Sequence, residues 1–215
     1  MSSLLVRVVV SYLLGSIVGS LIMGRLRGVD IRRLGSGNAG GTNALRTQGK
    51  SFAFWVLVID IGKGWIATAL VASLTIPGLT DASPELRTWL RPACAVAAIV
   101  GHVYPLWHGF RGGKGVATLV GAVLGLDAWL LVPMLVTWLA AVVLGGFVGL
   151  ASMAGAASLP VYTLAAGLEP RAPLLAFGVV TTLIIVLTHR GNIARMRAGT
   201  EPRARRLWLL GRRGA

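Results

Sequence analysis

The sequence predicts an all-α, polytopic integral membrane protein of about seven transmembrane helices, with its N-terminus outside and its C-terminus in the cytoplasm. Three observations carry that expectation. Hydrophobic residues make up 55 % of the 215 and charged residues only 13 %, with a mean hydropathy of +0.75. A water-soluble domain carries about 25 % charged residues, so this chain lacks the charge to cover a water-facing surface. Apolar runs recur at span length, about 20 residues being what a helix needs to cross hydrocarbon. Basic residues also divide unequally between alternate connections. A soluble enzyme, a disordered chain and a disulfide scaffold are excluded. The single cysteine, Cys94, makes neither an internal bridge nor a thiolate zinc site.

The spans follow in order. Leu4–Met23 carries Arg7 near its outer end. It lacks a basic start and a small-residue cleavage site, so it reads as a retained helix and not a signal peptide. Phe52–Ile76 is long enough but contains Asp60 and Lys63. Trp89–Leu106 and Lys114–Leu126 form a pair, the second short and glycine-flanked. Ala128–Phe147, Leu150–Leu168 and Pro173–Thr188 complete the set. Five full spans with two partly inserted pieces is the alternative. With seven spans, sixteen basic residues share one side: Arg25, Arg27, Arg32, Arg33, Arg46, Lys50, Arg111, Lys114 and eight from Arg190 onward. Four (Arg7, Arg87, Arg91, Arg171) lie on the other. The richer side is cytoplasmic.

The chain reads as one membrane-embedded domain over residues 1–215, with a basic cytoplasmic tail over 190–215. The net charge of +14 fits contact with anionic lipid headgroups. Nucleic acid is not an expected partner, because the aromatic residues lie in apolar segments and not among the basic ones. Arg25–Lys50 is a polar connection of 26 residues, and a long connection without regular structure is usually functional or disordered.

Four constellations carry chemistry. In Gly35-Ser36-Gly37-Asn38-Ala39-Gly40-Gly41-Thr42-Asn43, glycines let the backbone approach a ligand, and successive N–H groups can form an anion nest. Arg46 adds a fork suited to phosphate. A flexible loop is the plain alternative. In Asp60-Ile61-Gly62-Lys63-Gly64, a charge inside a span costs at least about 2.5–3.5 kcal/mol. Asp60 and Lys63 share a helix face and offset one another. They read either as a structural ion pair or as Lys63 facing a polar cavity. Third come Gly101-His102-Val103-Tyr104-Pro105 and Arg111-Gly112-Gly113-Lys114-Gly115-Val116-Ala117-Thr118, where a glycine pair opens a helix whose N-terminus favours phosphate. His108 and Gly115 stand where a Walker A loop needs Gly and Ser/Thr, so nucleotide hydrolysis is unsupported. The alternative is a tight interhelical turn, with Tyr104 and Trp107 in an interfacial aromatic belt. Fourth are His189-Arg190-Gly191-Asn192-Ile193 and Gly199-Thr200-Glu201-Pro202, where His189 offers a general base or a hydrogen-bond donor. The remaining tail, Arg203 to Arg213, reads as a lipid contact. No metal-ligand spacing is present, so no metal and no cofactor is expected.

This ordered set resembles the bacterial membrane glycerol-3-phosphate acyltransferases that use acyl phosphate. The matching stretches, which also include Tyr12-Leu13-Leu14-Gly15-Ser16, run over nearly the whole chain. The resemblance implies a seven-helix protein of the bacterial inner membrane with its active site facing the cytoplasm. It implies transfer of a fatty acyl group from acyl phosphate to the 1-hydroxyl of glycerol 3-phosphate, giving lysophosphatidic acid and phosphate. It implies catalytic roles for His189, Asn192, Ser36 and Lys114. Substrate binding falls to Gly37, Asn38, Thr42, Asn43, Arg46, Lys63, His102, Gly112, Gly113, Gly115 and Thr118. Acyl phosphate, glycerol 3-phosphate and membrane lipids are the implied partners, with the enzyme that makes acyl phosphate as a further candidate.

Two departures stand out. Gly146-Phe147-Val148-Gly149 replaces a run like Arg-Tyr-Val-Ser, with Ser152 nearby as a substitute, and Gly191 replaces a frequent Glu. The rival reading is a transporter of a phosphorylated metabolite. A thioester-dependent acyltransferase would carry His-x-x-x-x-Asp, which is absent here.

Overall fold

The structure, a computed structural model, describes residues 3–78, 83–205 and 207–209. Every regular element among them is helical. The chain forms two compact units, Met1–Asp127 and Ala128–Ala215.

In the first unit, α1 (Ser3–Gly15) and α2 (Gly19–Leu26) meet at a 42° bend. The single helix expected over Leu4–Met23 is therefore broken at Ser16–Val18. A break inside an apolar span frees carbonyls that need partners. Lys63 supplies them from the middle of the next span: its ammonium donates to Gly15 O at 2.9 Å and to Ile17 O at 2.7 Å. The connection expected to be irregular holds a 3-10 turn, Ile31–Arg33, and a two-turn helix, α3 (Gly41–Gln48). Next, α4 (Lys50–Trp65) runs on through a wide π turn, Ile66–Leu70, and a 3-10 turn, Val71–Ser73. Arg7 of α1 is buried and donates through Nε to Leu74 O at 3.0 Å, at the far end of that helix. Then come α5 (Pro84–Val103) and α6 (Val116–Leu126).

Two glycine-lined seams hold these helices together. Gly15 lies against the Ala98 carbonyl and Gly101 against that of Tyr12, so α1 and α5 touch backbone to backbone. Gly64 lies against the Thr118 carbonyl and Gly121 against that of Ile61, which does the same for α4 and α6. Lipid tails are as apolar as leucine, so close backbone packing of this kind drives helix association in membranes.

In the second unit, a 3-10 turn, Ala128–Leu130, leads into α7 (Leu131–Gly145). It is followed by α8 (Val148–Ala165), α9 (Arg171–Thr188) and α10 (Arg190–Arg197). α8 packs on both α7 and α9. Val132, Leu135, Val136 and Leu139 of α7 are exposed, a face suited to lipid. Lys50–Ser73, Ala128–Gly145, Val148–Ala165 and Arg171–Thr188 are each long and apolar enough to cross a membrane, and α1 with α2 qualifies as one bent span.

The tail differs from expectation. It begins as α10, and its next residues dock on the α7–α8 corner. Ala204 N–H donates to Gly146 O at 2.7 Å and Leu209 N–H to Val143 O at 3.1 Å. The Arg203 guanidinium lies 3.9 Å from the Trp208 ring centroid and 4.6 Å from that of Phe147. Arg203, read as a lipid contact, is a cation stacked between aromatic rings. Arg206, Arg212 and Arg213 lie outside the described residues.

Candidate active site

In the first unit, two glycine-rich segments come together. Glycines at 35 and 37, with φ of +55° and +72°, turn the chain ahead of α3. Asn43, on the first turn of α3, is buried and spends its whole amide on that turn. Its Nδ2 reaches the carbonyls of Leu34 (3.0 Å), Asn38 (3.1 Å) and Ile31 (3.2 Å), and its Oδ1 accepts Ser36 N–H at 3.0 Å. Asn43 thus shapes the segment that was expected to bind substrate with it. Asn38 is half-buried, whereas Ser36, Gly37, Thr42 and Arg46 are exposed. Thr42 and Arg46 stand one helical turn apart and so share a face of α3.

The second segment is Arg111–Gly115. Gly112 N–H donates to Val103 O and Gly113 N–H to His102 O, both at 3.1 Å. These two amides, expected to cradle phosphate, are already engaged. What the glycines supply is close approach: Gly112 lies on the His102 carbonyl, and Gly113 lies between the His102 imidazole and the Ala39 carbonyl of the first segment. Gly115, at φ +86°, caps α6. Gly40 caps α3. A glycine cap offers no side chain to the first-turn N–H groups, and helix N-termini of this kind attract anions. Lys114 is half-buried beside this start. Thr118 is fully buried, and its hydroxyl meets no hydrogen-bond partner among the described residues.

A further tie comes from outside the expected set. Asp30 Oδ1 accepts Arg32 N–H at 3.0 Å, and Asp30 Oδ2 pairs with Arg32 Nη2 at 2.9 Å. That hydrogen bonding from the guanidinium holds the Asp30 carboxyl below its ordinary range. Arg32 Nη1 then donates to His108 O at 3.1 Å and Arg111 O at 3.4 Å, joining the two segments. Burial, helped by Arg32 and Arg25, pushes the His108 imidazole below its usual pKa.

Behind the segments lies a buried knot. Lys63 Nζ is 3.0 Å from Asp60 Oδ1 and 2.8 Å from His102 Nδ1, and Asp60 Oδ1 also accepts Gly19 N–H at 3.0 Å. Lys63 is 3 % exposed and His102 2 %. Both were expected at the substrate; Lys63 is fully occupied inside the fold.

Of the four residues implied as catalytic, Ser36 and Lys114 belong to the first unit, and His189 and Asn192 to the second. His189 sits at the junction of α9 and α10, buried, with Nδ1 at 2.8 Å from Ile185 O. A carbonyl only accepts, so Nδ1 carries the proton and Nε2 the lone pair of the neutral ring. Asn192 Nδ2 donates to Glu201 Oε1 at 2.6 Å, while Glu201 Oε2 accepts Arg195 Nε at 2.6 Å. Gly199, at φ +70°, reverses the chain after α10 and returns Glu201 to that helix. Gly149 leaves the space that Asn192 fills, and Ser152 donates to its own-helix carbonyl at Val148, 2.9 Å away. The site of Gly191 is open apart from Arg195. Asp30, Arg32 and Glu201 were missed as parts of this arrangement. The signal for Glu201 was its place in Gly199-Thr200-Glu201-Pro202.

A profile of the family described as glycerol-3-phosphate acyltransferase matches residues 5–199. The chain belongs to that family. A glycerol-3-phosphate acyltransferase of Synechococcus sp. (strain CC9902) is 41 % identical over 205 residues, covering 94 % of this chain and 96 % of its own. One from Bordetella pertussis (strain Tohama I) is 39 % identical over 201 residues, covering 91 % and 89 %. The crystal structure of PlsY, an integral membrane glycerol 3-phosphate acyltransferase, in its glycerol 3-phosphate form superposes with a TM-score of 0.83 at 33 % identity, covering 94 % of this chain and 96 % of PlsY. Its lysophosphatidic acid form gives 0.81. This acyltransferase-family chain is thus a multi-pass membrane protein.

Proposed function

We propose that the chain acylates the 1-hydroxyl of glycerol 3-phosphate with acyl phosphate as donor, releasing lysophosphatidic acid and inorganic phosphate. The reading places it in the bacterial inner membrane as one seven-span catalytic domain, with both phosphate-binding segments and the basic tail at the cytoplasmic face. The observation that carries it is the meeting of the two glycine-rich segments at Gly113 and Ala39, beside two glycine-capped helix starts. Membership in the acyltransferase family supports the acceptor.

The chemistry follows from the donor. Acyl phosphate is a mixed anhydride, so its carbonyl is activated and phosphate is a good leaving group. A protein thiol is not required, which suits a chain whose Cys94 is buried. The acceptor oxygen forms a bond to the carbonyl carbon, the bond from that carbon to the phosphate oxygen breaks, and the hydroxyl proton passes to a base. The base is His189 Nε2 or an oxygen of the departing phosphate. Ser36, Arg46, Lys114 and the first amides of α3 and α6 bind the anions. Thr42, Asn38, Gly37, Gly115 and Thr118 shape their surroundings. Asn192 orients the hydroxyl or the reacting carbonyl. Holding two anions in line with the carbonyl, and offsetting charge on the leaving group, is what catalysis needs here.

The test is a donor comparison with purified protein: acyl phosphate, acyl-CoA and acyl carrier protein, each with labelled glycerol 3-phosphate. Lysophosphatidic acid is expected with acyl phosphate alone. Folded protein that forms none from acyl phosphate would end the reading.

A further inference from the structure

We propose that His102, aligned by Asp60 and Lys63, donates a hydrogen bond from Nε2 to a substrate phosphate oxygen at the Gly112–Gly115 segment. The inference rests on the phosphate-binding reading above.

Proton counting at the buried knot sets the tautomer. The Lys63 ammonium has three N–H donors and no lone pair. Gly15 O and Ile17 O take two of them. The third lies between Asp60 Oδ1 at 3.0 Å and His102 Nδ1 at 2.8 Å. A nitrogen that close to an ammonium must be an acceptor, because two N–H groups cannot face each other at that distance. Asp60 Oδ1 lies farther from that nitrogen, at 3.4 Å, than the ammonium at 2.8 Å, so His102 Nδ1 carries the lone pair and the ring proton sits on Nε2. Asp60, 3.0 Å away, offsets the charge of Lys63 inside the span. Asp60 and Lys63 are positioning residues in this scheme, acting on the substrate only through His102.

The Nε2 end of the ring points away from the knot and toward Gly113. A methyl group on Gly113 would collide with Nε2 and with the Ala39 carbonyl, so glycine alone keeps that space clear. Among the described residues, the polar contacts of the His102 ring are made by Nδ1. The fully buried side-chain atoms without a partner among the described residues belong to Ser3, Ser11, Ser20, Asp60 and Thr118 and not to His102, so the Nε2–H remains open to a small ligand. A phosphate oxygen entering beside Gly113 would satisfy it. This also supplies what the Gly112 and Gly113 amides withhold, since both donate to carbonyls of α5.

The experiment uses the full-length protein in detergent. H102A, H102N and H102Q are compared with wild type while acyl phosphate and glycerol 3-phosphate are varied separately. The glutamine amide nitrogen falls near the place of Nε2, whereas that of asparagine falls near Nδ1. H102A and H102N should lower kcat/KM about tenfold or more, the scale of a hydrogen bond to a charged group. H102Q should recover most of that loss. The substrate whose KM rises identifies which phosphate is held. Nitrogen-15 NMR of histidine-labelled wild type should show His102 protonated at Nε2, and K63M should disturb that signal together with activity. Equal impairment of H102Q and H102A in folded protein overturns the proposal, as does a proton on Nδ1. The NMR arm stands even where a variant does not fold. Wild type that makes no lysophosphatidic acid would instead defeat the functional reading.

Discussion

The Glu201 carboxylate bridges Asn192 and Arg195, accepting a 2.6 Å hydrogen bond from each through different oxygens. A side chain nine residues downstream thereby fixes the amide of Asn192, less than one helical turn after His189. Hydrogen bonds to charged groups are worth about 1.5–3 kcal/mol each. E201A should reduce turnover by roughly 10- to 100-fold, with folding preserved. R195A, which leaves the Asn192 bond in place, should cost less. Steady-state kinetics on the two variants decides this, and equal losses would mean that Glu201 acts on Arg195 alone.

Asn43 should behave as an organiser of its segment and not as a ligand for substrate. N43A removes one donor from the carbonyls of Ile31, Leu34 and Asn38, each of which keeps a backbone N–H, and takes away the acceptor of the Ser36 N–H, at about 0.5–1.5 kcal/mol for each hydrogen bond lost. The expected result is a lower melting temperature and lower kcat. T42A, which removes an exposed hydroxyl, should leave the melting temperature unchanged.

Replacing Lys114 by alanine should reduce turnover well over about tenfold, the loss expected when a charge-assisted contact to phosphate goes. Near-normal activity would remove it from the site.

The tie through Asp30 makes a pH prediction. Its carboxyl is held below the ordinary value of 3.8 by Arg32. The contribution is therefore full above about that pH and fades as pH falls through the lower folded value. Melting curves of wild type and D30N should differ by a constant amount from pH 7 to about 4 and converge below it.

The seam between α4 and α6 gives a stability prediction. G121A places a methyl on the Ile61 carbonyl, which belongs to backbone and cannot swing aside. Overpacking of this kind costs about 1–3 kcal/mol. The melting temperature should fall, while G62A, whose site is open, should leave it unchanged.

Hydropathy read most of the helix ends well. The helices over Ala128–Gly145, Val148–Ala165 and Arg171–Thr188 nearly coincide with the apolar runs, because lipid imposes one pattern on them. The break at Ser16–Val18 was not legible. Both flanks are apolar, and the donor that stabilises it, Lys63, lies 46 residues from Ile17. Helix α3 hid in the polar connection because Gly41, Thr42 and Asn43 are poor helix formers. The site residues were found by type, but type does not say whether a polar group faces substrate or its own backbone. Asn43, Gly112 and Gly113 all turned inward, as nothing local to them could reveal.

The stack of Arg203 between Phe147 and Trp208 bears on how the protein can be handled. Trimming the gene at Pro202 would strip the cover from Phe147 and leave a bare aromatic ring, inviting clumping during purification. An affinity handle belongs beyond Leu209, where that clasp stays shut.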